Sequence, residues 1–314
     1  MFAASPPGLA GRTAIAARAV AKAVIFAAGF LTLLVVAGFV LVLTGVPGDP
    51  RLAAVVEGFI TLAAALGAGW VMLLVVERKA PGALGFALSR GVPAELGRGL
   101  AIGTVMLAAV AAALMAGGLL RYRDEPGSVA GIVTTWVADL GTLALPAAAE
   151  EALFRGYGMQ VLVNGLGAGP AIVATSLAFA AAHVGNPAVG SLALGNIFLA
   201  GVLLGAAYLR TGSLWFASAL HLGWNWAMAS LADLPVSGLT FLDTPVYDAV
   251  ERGPAWLTGG AFGPEGGLIG TVAFLLGMAL LRYAPRTRGP VPAWGAAAVP
   301  VAHADGVRAE SGGE

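Results

Sequence analysis

The sequence predicts an all-α, polytopic integral membrane protein, a bundle of about eight transmembrane helices around an intramembrane cavity. Three observations predict it. Hydrophobic residues make up 58% of the 314-residue chain and charged residues only 11%, less than half the roughly 25% charge of a soluble domain. A water-soluble fold would have to expose large apolar patches. Apolar runs recur at the roughly 20-residue length that crosses a bilayer. Glycine is abundant, at 46 residues, and small residues let helix backbones approach closely in lipid. The same composition excludes other classes. The 17 Lys and Arg balance 17 Asp and Glu, leaving no basic excess to hold phosphate backbones, so nucleic acid is not an expected partner. With no cysteine there is neither a disulfide scaffold nor a thiolate metal site.

The spans follow in order. Val20–Thr44 is too long for a signal-peptide core and reads as a retained first span. Leu52–Val76 and Leu96–Leu120 come next, joined by Ala80–Pro93, an interfacial connector. Val129–Ala149 contains Pro146 and leads into a charged run. Gly169–Val184 is short and is stopped by Gly185-Asn186-Pro187. Proline cannot continue a helix, and it pushes the preceding residue out of helical geometry, so this helix is expected to end inside the membrane. Ser191–Leu209 carries Gly201-x-x-x-Gly205, a face for close internal packing rather than dimerisation. Ser213–Ala232 and Gly267–Tyr283 complete the set. The chain reads as one membrane domain, residues 20–284, with no internal repeat. Residues 1–19 are an expected cytoplasmic tail. Residues 285–314, rich in Ala, Gly and Pro, are an expected disordered cytoplasmic tail in which His303 is solvated.

Lys and Arg positions set the orientation. With both termini cytoplasmic, the inside segments hold Arg12, Arg18, Lys22, Arg78, Lys79, Arg90, Arg98, Arg155, Arg210, Arg282, Arg286, Arg288 and Arg308. The outside segments hold only Arg51, Arg121, Arg123 and Arg252. The long acidic, proline-rich segment Asp233–Glu265 belongs outside on this reading. High Ala, Gly and Arg usage over Lys suits a GC-rich bacterial genome, and the expected location is the inner (cytoplasmic) membrane.

Ionisable residues inside spans are expensive and mark function or pairing. They concentrate between residues 150 and 225. Glu150 and Glu151 sit side by side at the expected cytoplasmic end of the fourth span. On a helix, Glu151 and Arg155 are four apart and can pair. Glu150 then points about 100° away, free to act as a general base. His183, four residues after Phe179, lies among alanines and needs a partner from another helix. His221 and Asn225 share one helix face and can aim N–H donors at a developing oxyanion. Interhelical hydrogen bonding or metal binding by His221 would use the same face. Asp139 lies about 20° around the helix from Glu150 and is expected to face the same interior as a structural residue. One difficulty stands out. His183 lies about 21 Å along its helix while Glu150 sits at a helix end, so the fourth helix must extend further, or the fifth must start deep or tilt.

The order EExxxR, then FxxxH, then HxxxN on successive spans resembles the CPBP family of intramembrane proteases, which comprises type II CAAX prenyl endopeptidases and bacteriocin-processing and immunity (Abi) proteins. The matching residues are Glu150, Glu151, Arg155, Phe179, His183, His221 and Asn225, within residues 128–232. The resemblance implies an endopeptidase with a cavity open to the cytoplasm. Glu150 would activate water, with Glu151 and Arg155 supporting it. His183 would contact that water or a metal, and His221 with Asn225 would stabilise the oxyanion. No HExxH motif is present. Glu150, His183 and His221 could hold zinc with an open position, and a metal-free glutamate mechanism is equally open. Implied partners are the lipid bilayer and a peptide, prenylated or very apolar membrane-associated substrate. Two other readings compete. One is a non-catalytic scaffold or bacteriocin-immunity protein. The other, less favoured, is a transporter using Asp139, Glu150 and His183 as a proton path, which no repeat symmetry supports.

Overall fold

The computed structural model describes residues 9–242 and 244–281. The expected C-terminal tail, with His303, lies outside them. The helices in chain order are α1 (Leu9–Thr44), α2 (Pro50–Val71, continued as a π turn over Met72–Glu77), α3 (Val92–Ala116), α4 (Val129–Phe154), α5 (Tyr157–Leu166), α6 (Ala168–Ala182), α7 (Ser191–Thr211), α8 (Leu214–Trp226, continued as a π turn over Ala227–Leu231), α9 (Ala255–Thr258) and α10 (Leu268–Leu281). Two strands, β1 (Leu120–Asp124) and β2 (Tyr247–Glu251), pair antiparallel with Leu120 opposite Glu251 and Asp124 opposite Tyr247.

The all-α membrane class holds. Among the described residues, five helices are long and apolar enough to cross a membrane: Leu9–Thr44, Pro50–Glu77, Val92–Ala116, Val129–Leu166 and Ser191–Thr211. Of the other expected spans, α6 and α10 are shorter apolar helices. The seventh divides into α8 and its π turn. Several boundaries differ from expectation for local reasons. The first helix begins at Leu9, so residues 9–19 are helical rather than an open tail. The third ends at Ala116 because Gly117 and Gly118 follow, the latter at φ +71°, and the chain turns into β1. The acidic segment is not a plain loop. It contains β2 and α9 and carries several buried side chains.

Two features position the later site. The first is a glycine seam between α3 and α8. A Cβ on Gly103 would lie 2.2 Å from the Leu220 carbonyl oxygen, and one on Gly223 would lie 2.3 Å from that of Leu100. Only hydrogen fits at either position, so the α8 backbone lies directly on α3. This is close approach through small residues, as membrane helices favour. The second is the α6–α7 crossing. A Cβ on Gly201 would meet Ser176 at 2.9 Å, so Gly201 of the GxxxG pair packs within the chain, as expected. α8 buries residues around most of its circumference, with α3, α4 and α7 packed against it.

Asp139 takes a role apart from Glu150. Its side chain is fully buried, pairs with Arg51 at 3.1 Å and accepts a hydrogen bond from Ser230. It lies about 16 Å from Glu150 along α4, which separates two residues that share a helix face.

Gly223→Leu is expected to lower the thermal midpoint of the purified protein, since overpacking costs about 1–3 kcal/mol even where neighbours are side chains. Gly141→Ala faces open space and is expected to be neutral or to stabilise by up to about 1 kcal/mol. Unfolding scans in one detergent check both. The chain has no cysteine, so a single Leu239→Cys reports on orientation. Leu239 is exposed, within the acidic segment. A membrane-impermeant maleimide is expected to label it from the extracytoplasmic side of intact cells.

Candidate active site

Glu150 is not at a helix end. α4 continues to Phe154, and α5 carries the chain onward beside α1, where Gly158 faces Phe26 and Gly165 faces Ala19. Glu150 therefore lies within the bundle, about 31 Å along α4. This extension removes the difficulty of depth between Glu150 and His183. The break between α4 and α5 falls at Gly156, where a Cβ would lie 2.1 Å from the Ala152 carbonyl oxygen. Pro146, inside α4, rests on Gly58, where a Cβ would lie 2.7 Å from its ring.

Behind Glu150 stands a buried polar cluster. Arg155, counted in the sequence among cytoplasmic loop cations, is entirely buried at the α4 terminus. Its Nη1 donates to Glu151 Oε1 at 2.9 Å and its Nη2 to the Gly201 carbonyl at 3.0 Å. The guanidinium lies 4.5 Å from the centroid of the Phe179 ring, within cation–π range. Glu151, also fully buried, accepts a second hydrogen bond from His221 Nδ1 at 3.1 Å. The expected Glu151–Arg155 pair is thus formed, and Glu151 orients His221 as well.

The opposite nitrogen of His221 faces the cavity side, with Nε2 3.9 Å from Glu150 Oε2. Glu150 keeps about a third of its side chain accessible, and its Oε2 has no hydrogen-bond partner. His183 caps α6, its Nδ1 donating to the Phe179 carbonyl at 2.8 Å. That bond leaves its Nε2 as the free acceptor. Phe179 lies tilted against His183 at 4.7 Å and edge-on to His221 at 6.0 Å between ring centroids. The phenylalanine of the FxxxH motif is therefore the hub between guanidinium and imidazoles. Asn225, one turn beyond His221, has a buried Oδ1 without a partner.

Glu150, Phe179, His183, His221 and Asn225 line one cavity of about 320 Å³. Glu151 and Arg155 are not part of its wall and act from behind it. The remaining wall is mostly apolar, including Leu143, Ile197, Leu203 and Phe274. Among the described residues no three His, Cys, Asp or Glu side chains converge as a metal-holding group. Glu150, His183 and His221, the expected zinc candidates, share the cavity without assembling into a ligand set.

The wall also holds polar residues not taken as site residues from the sequence, among them Asn186, Ser237 and Glu265. Glu265 is buried and accepts from Trp224 Nε1–H at 2.9 Å and from the Ser237 hydroxyl at 2.5 Å. Asn186 Nδ2 donates to the Ser237 carbonyl at 2.9 Å, and the Gly238 N–H donates to Phe262 O at 3.0 Å. Asn196 on α7 donates to the carbonyls of Glu265 and Gly267, both at 2.8 Å. A signal existed in the sequence. Glu265 is a carboxylate directly before an apolar helix, and Asn196 is an amide inside one. The acidic segment thus forms a wall of the cavity. An acidic segment outside and a cavity open to the cytoplasm accordingly pull toward opposite ends of the bundle.

Residues 132–227 match the family model described as Type II CAAX prenyl endopeptidase Rce1-like. The matched stretch runs from α4 through α8 and contains every motif residue from Glu150 to Asn225. It supports the resemblance drawn from the motifs, and the apolar helices support a multi-pass membrane protein. No curated protein and no solved structure matches the chain.

Arg155→Ala strands the Glu151 carboxylate in the interior and is expected to cost about 3–5 kcal/mol. The double change Glu151→Leu with Arg155→Met removes both charges and is expected to recover much of that loss. Thermal unfolding of both purified variants reads the difference.

Proposed function

We propose that the protein is an intramembrane endopeptidase in which Glu150 activates water. The carrying observation is the split within one Glu-Glu pair. Glu151 is spent on Arg155 and His221. Glu150 faces the cavity with an unpartnered oxygen, near the free nitrogen of the same histidine. A base needs both a lone pair not spent on a structural bond and a neighbour to share the proton, and this pairing supplies both.

In this reading a water bound between Glu150 and His183 Nε2 gives a proton to Glu150 as its oxygen attacks the scissile carbonyl carbon. The carbonyl π pair moves to oxygen, and N–H groups of His221 and Asn225 hold the resulting oxyanion. The proton on Glu150 then passes to the amide nitrogen. The C–N bond breaks as the carbonyl reforms, releasing a carboxylic acid and an amine. Glu151 and Arg155 act as positioning residues by fixing the His221 ring. The apolar remainder of the cavity suits a membrane-embedded peptide, and exclusion of bulk water strengthens the electrostatic contribution.

Glu150→Ala is expected to abolish cleavage of a quenched apolar peptide by the protein in nanodiscs, with the unfolding midpoint close to wild type. Asn225→Ala is expected to lower kcat about 10²–10³-fold, the usual loss for one oxyanion donor. Full activity of Glu150→Ala would sink the assignment. A cellular phenotype surviving alanine at Glu150, His183, His221 and Asn225 together would favour a binding scaffold.

A further inference from the structure

Donors and acceptors do not balance on the cavity wall. The Nδ1–H of His183 is spent on the Phe179 carbonyl, and that of His221 on Glu151. Trp224 and Ser237 donate to Glu265, and Asn186 donates to a backbone carbonyl. Apart from the His221 Nε2–H and the Asn225 amide N–H groups assigned to the oxyanion, what remains is largely acceptor capacity. Glu150 Oε2 and Asn225 Oδ1 are buried without partners. Glu265 is 4% exposed, and each of its oxygens takes one neutral donor, although a carboxylate offers about four lone-pair positions. Among the described residues no Lys, Arg or His forms an ion pair with Glu265. Arg155, the buried guanidinium nearby in the fold, is neutralised by Glu151 behind the wall.

A buried carboxylate without a counter-charge is costly. A cavity whose free valences are mostly acceptors is complementary to a ligand that brings donors and positive charge. The apolar surfaces of Leu143, Ile197 and Leu203 in the same cavity suit the methylenes of a long basic side chain, which bury their stem and present a charged head.

We propose that Glu265 forms a substrate subsite for a lysine or arginine side chain close to the scissile bond. The proposal rests on the endopeptidase reading and adds a specificity to it. A peptide presents its backbone to Glu150, His221 and Asn225 and places its basic group against Glu265. The Trp224 and Ser237 hydrogen bonds hold the carboxylate in position for it.

The test uses the full chain in nanodiscs and pairs of quenched apolar peptides differing only in lysine or norleucine, walked over three positions on each side of the cleaved bond. At one position wild type is expected to favour lysine by about tenfold in kcat/KM, because a site built for a polar group rejects the analogue lacking it. Glu265→Gln is expected to bring that ratio to about one. Ser237→Ala and Glu265→Asp, which keep the charge, are expected to retain a preference even where absolute rates fall, and they serve if Glu265→Gln does not fold. An unchanged ratio in Glu265→Gln, no lysine preference at any position, or loss of the preference in Ser237→Ala would overturn the proposal. Binding of dye-labelled versions of the peptides to Glu150→Ala protein, read by anisotropy, separates the two readings. Tighter lysine-peptide binding that disappears in the Glu150→Ala, Glu265→Gln double variant upholds the subsite even if wild type cleaves nothing. Equal binding of the two peptides overturns it.

Discussion

The Arg155 guanidinium is the constraint around which the centre of this molecule is arranged. A permanent charge with no exposed surface has to be neutralised and hydrogen-bonded inside the protein. It meets this requirement with partners from three helices: Glu151 on α4, the Gly201 carbonyl on α7 and the Phe179 ring on α6. Each partner is then fixed in turn. Gly201 is exposed to the guanidinium because α7 lies tightly on Ser176 of α6. Glu151, held by Arg155, is available to hold His221 on α8. One buried cation therefore ties together groups from four helices and fixes the angle of one imidazole.

The glycine seam performs the complementary task. Hydrogen bonds to Arg155 specify which groups meet, but they do not decide how far α8 is inserted along the bundle axis. Contact of Gly99, Gly103 and Gly223 with facing backbone carbonyls does, because a close-packed interface admits no sliding without a clash. His221 and Asn225 flank Gly223 by two residues on either side, so their depth follows from that contact.

The sequence made the membrane class, the short α6 and the chemistry-bearing residues legible for separate physical reasons. Charge is rare in lipid, so Glu150, Glu151, Arg155, His183, His221 and Asn225 stood out against alanine and leucine. Spacing by four put Glu151 beside Arg155, and it forecast that Glu150 would face elsewhere. Other features were hidden. The end of α4 was misplaced because the charged run Glu150–Arg155 resembles an interfacial boundary, and only its partners on α6, α7 and α8 allow it to be buried. Asp139 shares a helix face with Glu150, yet periodicity around an axis does not report distance along it, and Arg51 captures it. The β1–β2 pair joins residues more than a hundred positions apart, beyond any local pattern. Glu265 lay in a segment read as an outer loop, where a carboxylate attracts no notice.

The short α6 connects these observations. Ending a helix within the bundle frees backbone groups that lipid cannot satisfy, so such a break survives only where protein or a polar cavity takes them up. Here His183 is the capping residue, its ring is turned onto the Phe179 carbonyl, and the Asn186 N–H donates to the His183 carbonyl. The Asn186 side chain ties the turn to the Ser237 carbonyl, and the Ser237 hydroxyl binds Glu265. The missing turns of α6 and the folded acidic segment are thus one construction. The break sets Asn186 on the cavity wall, and the segment satisfies its amide while adding a second carboxylate to the same wall.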